Sequence, residues 1–177
     1  MRAFIVVLVS VLCVGCFQKK SLPADSNLFL PSKILAELKD KKLDEVSGLA
    51  ASAENPGLLW AHNDSGNPAA VYLVDEKLNI RLTCRLTGVK NRDWEDITVG
   101  PGPDDQKRYV YVADIGDNNS RYDVKYIYRF EEPKVGGQGN HEITISAFDT
   151  IRFQLADEKK DTEAIMIHPR TKNIYIV

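Results

Sequence analysis

The chain has 177 residues, 44% hydrophobic and 27% charged, an ordinary globular composition with enough length for one sizeable core. Its 23 Lys and Arg against 25 Asp and Glu leave a net charge of −2, so electrostatics give no reason to expect a nucleic-acid partner. Three cysteines are too few for a disulfide-stapled scaffold.

Arg2 precedes an apolar run from Ala3 to Gly15 that is too short to span a bilayer stably. Leu12-Cys13-Val14-Gly15-Cys16 resembles a bacterial lipobox, with Cys13 where Leu is usual. Residues 1–16 therefore read as a lipoprotein signal peptide with Cys16 as the acylated residue. An ordinary signal cut nearby and a retained membrane anchor are the alternatives. Phe17 is not the Asp associated with inner-membrane retention, so the expected location is the bacterial cell envelope, as an outer-membrane lipoprotein facing the periplasm or exterior. Cleavage would leave Cys84 alone in the folded body. It alternates with Ile80, Leu82 and Leu86 and reads as a small buried apolar residue rather than a nucleophile.

Residues 17–42 read as a polar tether and a lead-in segment. Ile34, Leu35 and Leu38 fit either a short helix or a strand, and the β character of the rest of the chain favours the strand. From residue 43 onward, apolar or alternating runs fall at 46–51, 58–61, 70–74, 80–86, 97–99, 109–113, 124–130, 143–148, 151–155, 164–167 and 173–177. Turn residues separate them, as at Asn55-Pro56-Gly57, Asp64 to Pro68, Pro101-Gly102-Pro103 and Gly116 to Asn119. This pattern predicts an all-β fold.

An acidic motif recurs along these strands. Glu45-Val46-Ser47-Gly48-Leu49 leads to His62-Asn63-Asp64, and Asp93-Trp94-Glu95-Asp96-Ile97 leads to Val112-Ala113-Asp114. Asp161-Thr162-Glu163-Ala164-Ile165 opens a third copy. Glu45 to Asp64 and Glu95 to Asp114 are both separated by 19 positions. Self-similarity at such a period marks a repeat architecture. Grouping the first eight runs gives two sets of four, the pattern of propeller blades. Residues 43–177 are thus expected to form a partial β-propeller, about two and a half four-stranded blades, where closure takes about four to eight. The expectation is of a chain truncated at its C-terminus. Trp60 and Trp94 read as packing aromatics between blades. Tyr109, Tyr111, Tyr126 and Tyr128 alternate along strands, with half of them expected on an exposed face.

Glu45 to Ala50, Leu59 to Gly66, Asp93 to Ile97, Asp114 to Asn118, Arg129 to Pro133 and Asp161 to Ala164 together resemble an uncharacterised family of secreted bacterial six-bladed β-propellers. More distantly, that family is similar to the regucalcin and gluconolactonase, paraoxonase and strictosidine-synthase propellers. The resemblance implies a central channel, and several of the distant groups hold calcium there with Glu, Asn and Asp.

Independently of that resemblance, carboxylates at the same end of every blade would converge, and converging anions call for a cation. Oxygen donors alone suit calcium, and neither zinc spacing nor an EF-hand loop is present. The candidate ligands are Glu45, Glu95 and Glu163 at strand entries, with Asn63, Asp64, Asp114 and Asn118 at the exits. Asx-turns are the competing explanation for the exit residues. His62 is the candidate general base, and Ser47 and Ser65 lack a nucleophile-elbow context. Three functions are compatible with these residues. The first is a monomeric, lipid-anchored propeller binding a small-molecule or envelope ligand through calcium. The second is a metal-dependent hydrolase of lactones or phosphoesters, and the third a scaffold for protein partners.

Overall fold

The computed structural model describes residues 31–136 and 139–177; the signal segment, Cys16 and most of the tether lie outside the described residues. Among the described residues the fold is all-β, with three open sheets. The first contains β1 (Val46–Ala51), β2 (Leu59–Asn63), β3 (Ala70–Val74) and β4 (Ile80–Leu86), paired antiparallel in chain order. The second contains β5 (Trp94–Pro101), β6 (Arg108–Asp114) and β7 (Lys125–Glu131). β8 (His141–Ile145) and β9 (Asp149–Phe153) then part company: β8 joins the first sheet and β9 the second. β10 (Ile165–Ile167) and β11 (Ile174–Ile176) make a two-stranded third sheet. Among the described residues no helix is long and apolar enough to cross a membrane.

Period-two alternation explains how the sheets stack. Val71, Leu73, Leu82, Cys84 and Leu86 of the first sheet meet Val110, Val112, Tyr128 and Phe130 of the second, with Trp60 and Trp94 fully buried in the same cluster. The intervening residues of the second sheet, Tyr111, Ala113 and Ile127, face the opposite way and pack with Ile165 and Ile167 of the third. The second sheet is thus covered on both faces. That is why none of the four tyrosines stands on an open surface: Tyr111 and Tyr128 are buried, and Tyr109 and Tyr126 are half-buried.

Three other expectations are corrected. Ile34 to Leu38 forms no strand; Ile34 and Leu35 are exposed, and no strand among the described residues pairs with them. Among the described residues regular structure begins instead with one 3-10 turn at Lys41–Leu43, capped by Asp40 and tucking Leu43 beneath Tyr72 and Val74. Ile80 does not share a face with Cys84. The ladder shifts between Leu73↔Leu82 and Val74↔Ile80, and this irregularity turns Ile80 toward the outer cluster of Leu43 and Tyr72. The run at 143–148, expected as the fourth strand of the second sheet, gives its first half to β8, which pairs parallel to β4 at Cys84↔Ile143. The fourth strand of the second sheet is β9, at Ile127↔Ile151.

A clasp sends the chain across. Glu132, just beyond β7 and almost fully buried, accepts from Ser52 Oγ at 2.5 Å, Trp60 Nε1 at 2.8 Å, and Ala53 N and Glu54 N at 3.2 Å. Asn55 continues it, donating to Pro133 O at 3.0 Å and accepting from Val135 N at 2.8 Å. A residue of the second sheet's exit thereby holds the first sheet's β1–β2 turn and its central indole. Glu132→Ala is expected to cost about 2–4 kcal/mol by orphaning buried donors, read as a lower urea midpoint at unchanged m. Glu132→Gln should cost less, since one oxygen survives. A loss below about 0.5 kcal/mol for Ala would contradict the clasp.

Candidate metal centre

The first strands of the sheets lie side by side, with β5 between β1 and β10. Two direct bonds join them: Ser47 Oγ donates to Glu95 O at 3.0 Å, and Ile165 N donates to Asp96 Oδ2 at 2.9 Å. The first strands of the first two sheets open with the same irregularity. In β1 the register passes from Val46↔Asn63 to Gly48↔His62, leaving Ser47 bulged. In β5 it passes from Trp94↔Asp114 to Asp96↔Ala113, leaving Glu95 bulged. Before β10, Glu163 N and Ala164 N both donate to Val177 O, at 2.7 and 3.2 Å. A bulge turns its extra residue out of the ladder and re-aims the side chain. Ser47, Glu95 and Glu163 are therefore equivalent, as are Glu45, Asp93 and Asp161 two residues earlier. The equal spacing of 19 pairs the copies differently, because β5 and β6 are each two residues longer than β1 and β2.

Five carboxylates gather at these bulges. Oxygens of Asp64, Asp93 and Glu95 lie within 4.8 Å of one another, and so do those of Glu95, Asp161 and Glu163. Glu95 belongs to both groups. It is 8% exposed, whereas Asp64 and Asp93 are half-buried and Asp161 and Glu163 exposed. Among the described residues no Lys, Arg or His forms an ion pair with any of the five, and no protein N–H reaches the Glu95 carboxylate. Gly116 makes the approach possible, because a Cβ there would collide with Glu95 Oε1 and with the Asp93 carboxyl group. The loop carrying Gly116 is pinned from below. Buried Lys125 donates to Ile115 O at 2.7 Å and Gly116 O at 3.3 Å, Thr162 Oγ1 to Ile115 O at 2.7 Å, and Asp117 N to Asp161 Oδ1 at 2.6 Å.

Of the sequence candidates, Asp64, Glu95 and Glu163 are brought together and the others are not. Glu45 is exposed and accepts from Asn67 Nδ2 at 2.6 Å. Asn63 is buried, donating to Lys42 O at 2.8 Å, with its own Oδ1 unpartnered. Asp114 pairs with Arg92 at 3.2 Å and accepts from Asp93 N at 3.2 Å. Asn118 is exposed in the β6–β7 loop. His62 is wholly buried beside Trp94, ring centroids 5.9 Å apart. Its Nδ1–H donates to Asn63 O at 2.9 Å, which leaves Nε2 bare and without a partner. Gly48 lies against that nitrogen so closely that a Cβ could not be accommodated. Burial pushes the His62 pKa down, so the ring is neutral and out of solvent's reach. Asp93 and Asp161 complete the group without having been candidates. Their signal is the acid two positions before the bulged residue, in Asp93-Trp94-Glu95 and Asp161-Thr162-Glu163.

The electrostatic consequence is concentrated on Glu95. Burial first, then the neighbouring Glu163, Asp64 and Asp93 carboxylates, push its pKa up to about 8. Asp93 is also raised, by burial and by Asp64 and Asp161. Such a group favours hard, oxygen-seeking divalent cations, since it offers carboxylate oxygens and no nitrogen or sulfur. Comparison of the chain with protein-family models, with curated proteins and with solved structures found no match.

A raised folded-state pKa means that the native protein holds a proton the unfolded chain releases near pH 4.5. The Glu95 contribution to stability is therefore complete below that pH and is lost as pH rises through about 8. In chelator, Glu95→Gln should melt close to the parent at pH 5 and about 3–8 °C above it at pH 9. Equal melting temperatures at pH 9 would remove the charge conflict.

Proposed function

We propose that the protein is a lipid-anchored β-propeller of the bacterial envelope that binds its ligand through a divalent cation, calcium by donor chemistry. Asp64, Asp93, Glu95, Asp161 and Glu163 form the cation site. The observation that carries this reading is Glu95, a residue only 8% exposed whose carboxylate, among the described residues, receives no N–H and lies among four others. A fold does not keep such a group ionised at neutral pH without a compensating positive charge.

Three features support the propeller arrangement: sheets stacked face to face, first strands side by side, and a repeated bulge that sends equivalent residues toward one place. The envelope anchor rests on the lipobox-like segment ending at Cys16. A bound cation would leave coordination positions for ligand oxygens, because calcium takes about six to eight. The hydrolase alternative gains nothing from His62, which is enclosed by Gly48 and Trp94. Glu45 and Asn118, both exposed, take no part in this ion site.

Thermal melting with and without calcium tests the reading. At calcium near one hundred times Kd, stabilisation should be about 2.7 kcal/mol, or about 5–10 °C for a chain of this size. Glu95→Gln, checked for its β signature by circular dichroism, should lose the shift. An unshifted parent melt across millimolar calcium, magnesium and manganese would refute cation binding.

A further inference from the structure

We infer that the centre takes two divalent cations, bridged by Glu95, rather than one. This rests on the cation reading above and concerns how many ions that site holds.

The five carboxylates do not bring one oxygen each within 4.8 Å of all the others. Their oxygens fall into two sets of mutual proximity, Asp64–Asp93–Glu95 and Glu95–Asp161–Glu163, with Glu95 as the shared member. Ligand oxygens around one calcium lie about 2.3–2.6 Å from it. Any two of them can then be no more than about 5 Å apart, which each triad meets, its oxygens lying within 4.8 Å of one another. An ion in either triad therefore leaves the other pair of acids uncompensated beside it. Charge points the same way. Five carboxylates carry −5; one divalent ion leaves −3, and two leave −1.

The second observation is the state of Glu95 itself. The four outer acids are half-buried or exposed, whereas Glu95 is 8% exposed and, among the described residues, its carboxylate receives no N–H. It lies against Gly116, which leaves its Oε1 room only because that residue has no Cβ. A carboxylate has two oxygens and can give one to each of two ions, which such bridging holds about 3.5–4 Å apart. The two positions differ in setting. Asp64 and Asp93 are half-buried, whereas Asp161 and Glu163 are exposed, so the first ion is held the more tightly.

Equilibrium dialysis of the full chain against calcium reads the stoichiometry. The parent should bind two ions per chain in two distinguishable steps. Glu163→Gln should keep the tighter step and weaken the other at least tenfold; Asp64→Asn should weaken the tighter step at least tenfold. Glu95→Gln should weaken both. Circular dichroism of each variant excludes loss of fold as the cause. One ion per parent chain would overturn the bridged pair while leaving the cation reading intact; none would overturn both. Two ions with affinities indifferent to Glu163→Gln would place the second elsewhere and equally overturn the proposal.

Discussion

Because β6 and β7 carry apolar side chains on both faces, the second sheet cannot end at water on either side. Val110 and Val112 require the first sheet, and Tyr111 and Ile127 require the third. Both neighbours must therefore stack against the same four strands, which brings β1, β5 and β10 into one row. Apolar burial of this kind is non-directional and does not fix how the sheets are turned. The directional bonds do that. Glu132 ties the first sheet's turn to the second sheet's exit, while Ser47 and Asp96 tie neighbouring first strands.

Once the first strands are in a row, the bulges decide what meets there. An unbulged strand would keep Glu95 in register on one face of the sheet, among Trp94's packing partners or their opposites. The extra residue instead carries its side chain to the place where the next sheet brings Asp161 and Glu163. Like charges so close oppose folding unless a proton or a cation intervenes. Stability given up to such a conflict is common where a site is prepared for a ligand. The surroundings are correspondingly rigid: Lys125 is buried under the loop, and Asp117 binds the N–H groups of Arg121 and Tyr122 at 2.7 and 2.8 Å. Arg92 meanwhile pairs with Asp114 and stacks on Tyr122, 3.9 Å from the ring centre, and among the described residues forms no ion pair with the five acids.

The strands were legible in the sequence because alternation and turn residues are local signals, and residues such as Cys84 and the two tryptophans could be placed in the core on that basis. Three things were not legible for non-local reasons. The transfer of β8 to the first sheet depends on Glu132 and Asn55 meeting partners 80 positions away, Ser52 and Val135. The exposure of Ile34 to Leu38 goes with the absence of a strand beside them among the described residues, which no run of residues announces. The equivalence of the acidic copies depends on bulges, and a bulge inserts a residue without changing composition. Equal spacing between Glu45–Asp64 and Glu95–Asp114 therefore matched positions that the ladder separates. The acid pair at i and i+2 was the better guide, because both members lie at the start of the same strand and keep their relation whatever the hairpin length.

The first sheet departs from the pattern of the other two. Its bulged residue is Ser47, not an acid, and its hydroxyl is committed to Glu95 O. The sheet thus gives the cluster no carboxylate from its bulge. It gives Asp64 instead, from the end of β2, where Asp64 N is bonded to Glu45 O at 2.8 Å and Asn91 Nδ2 holds Asp64 O at 2.7 Å. An acid at Ser47 would set another anion beside Glu95 and remove the hydroxyl that fixes the bulge. With Ser47, the Glu95 backbone is held from one side and Asp64 approaches from the other. The asymmetry lets three sheets share one buried carboxylate without bringing three equivalent acids to the same point.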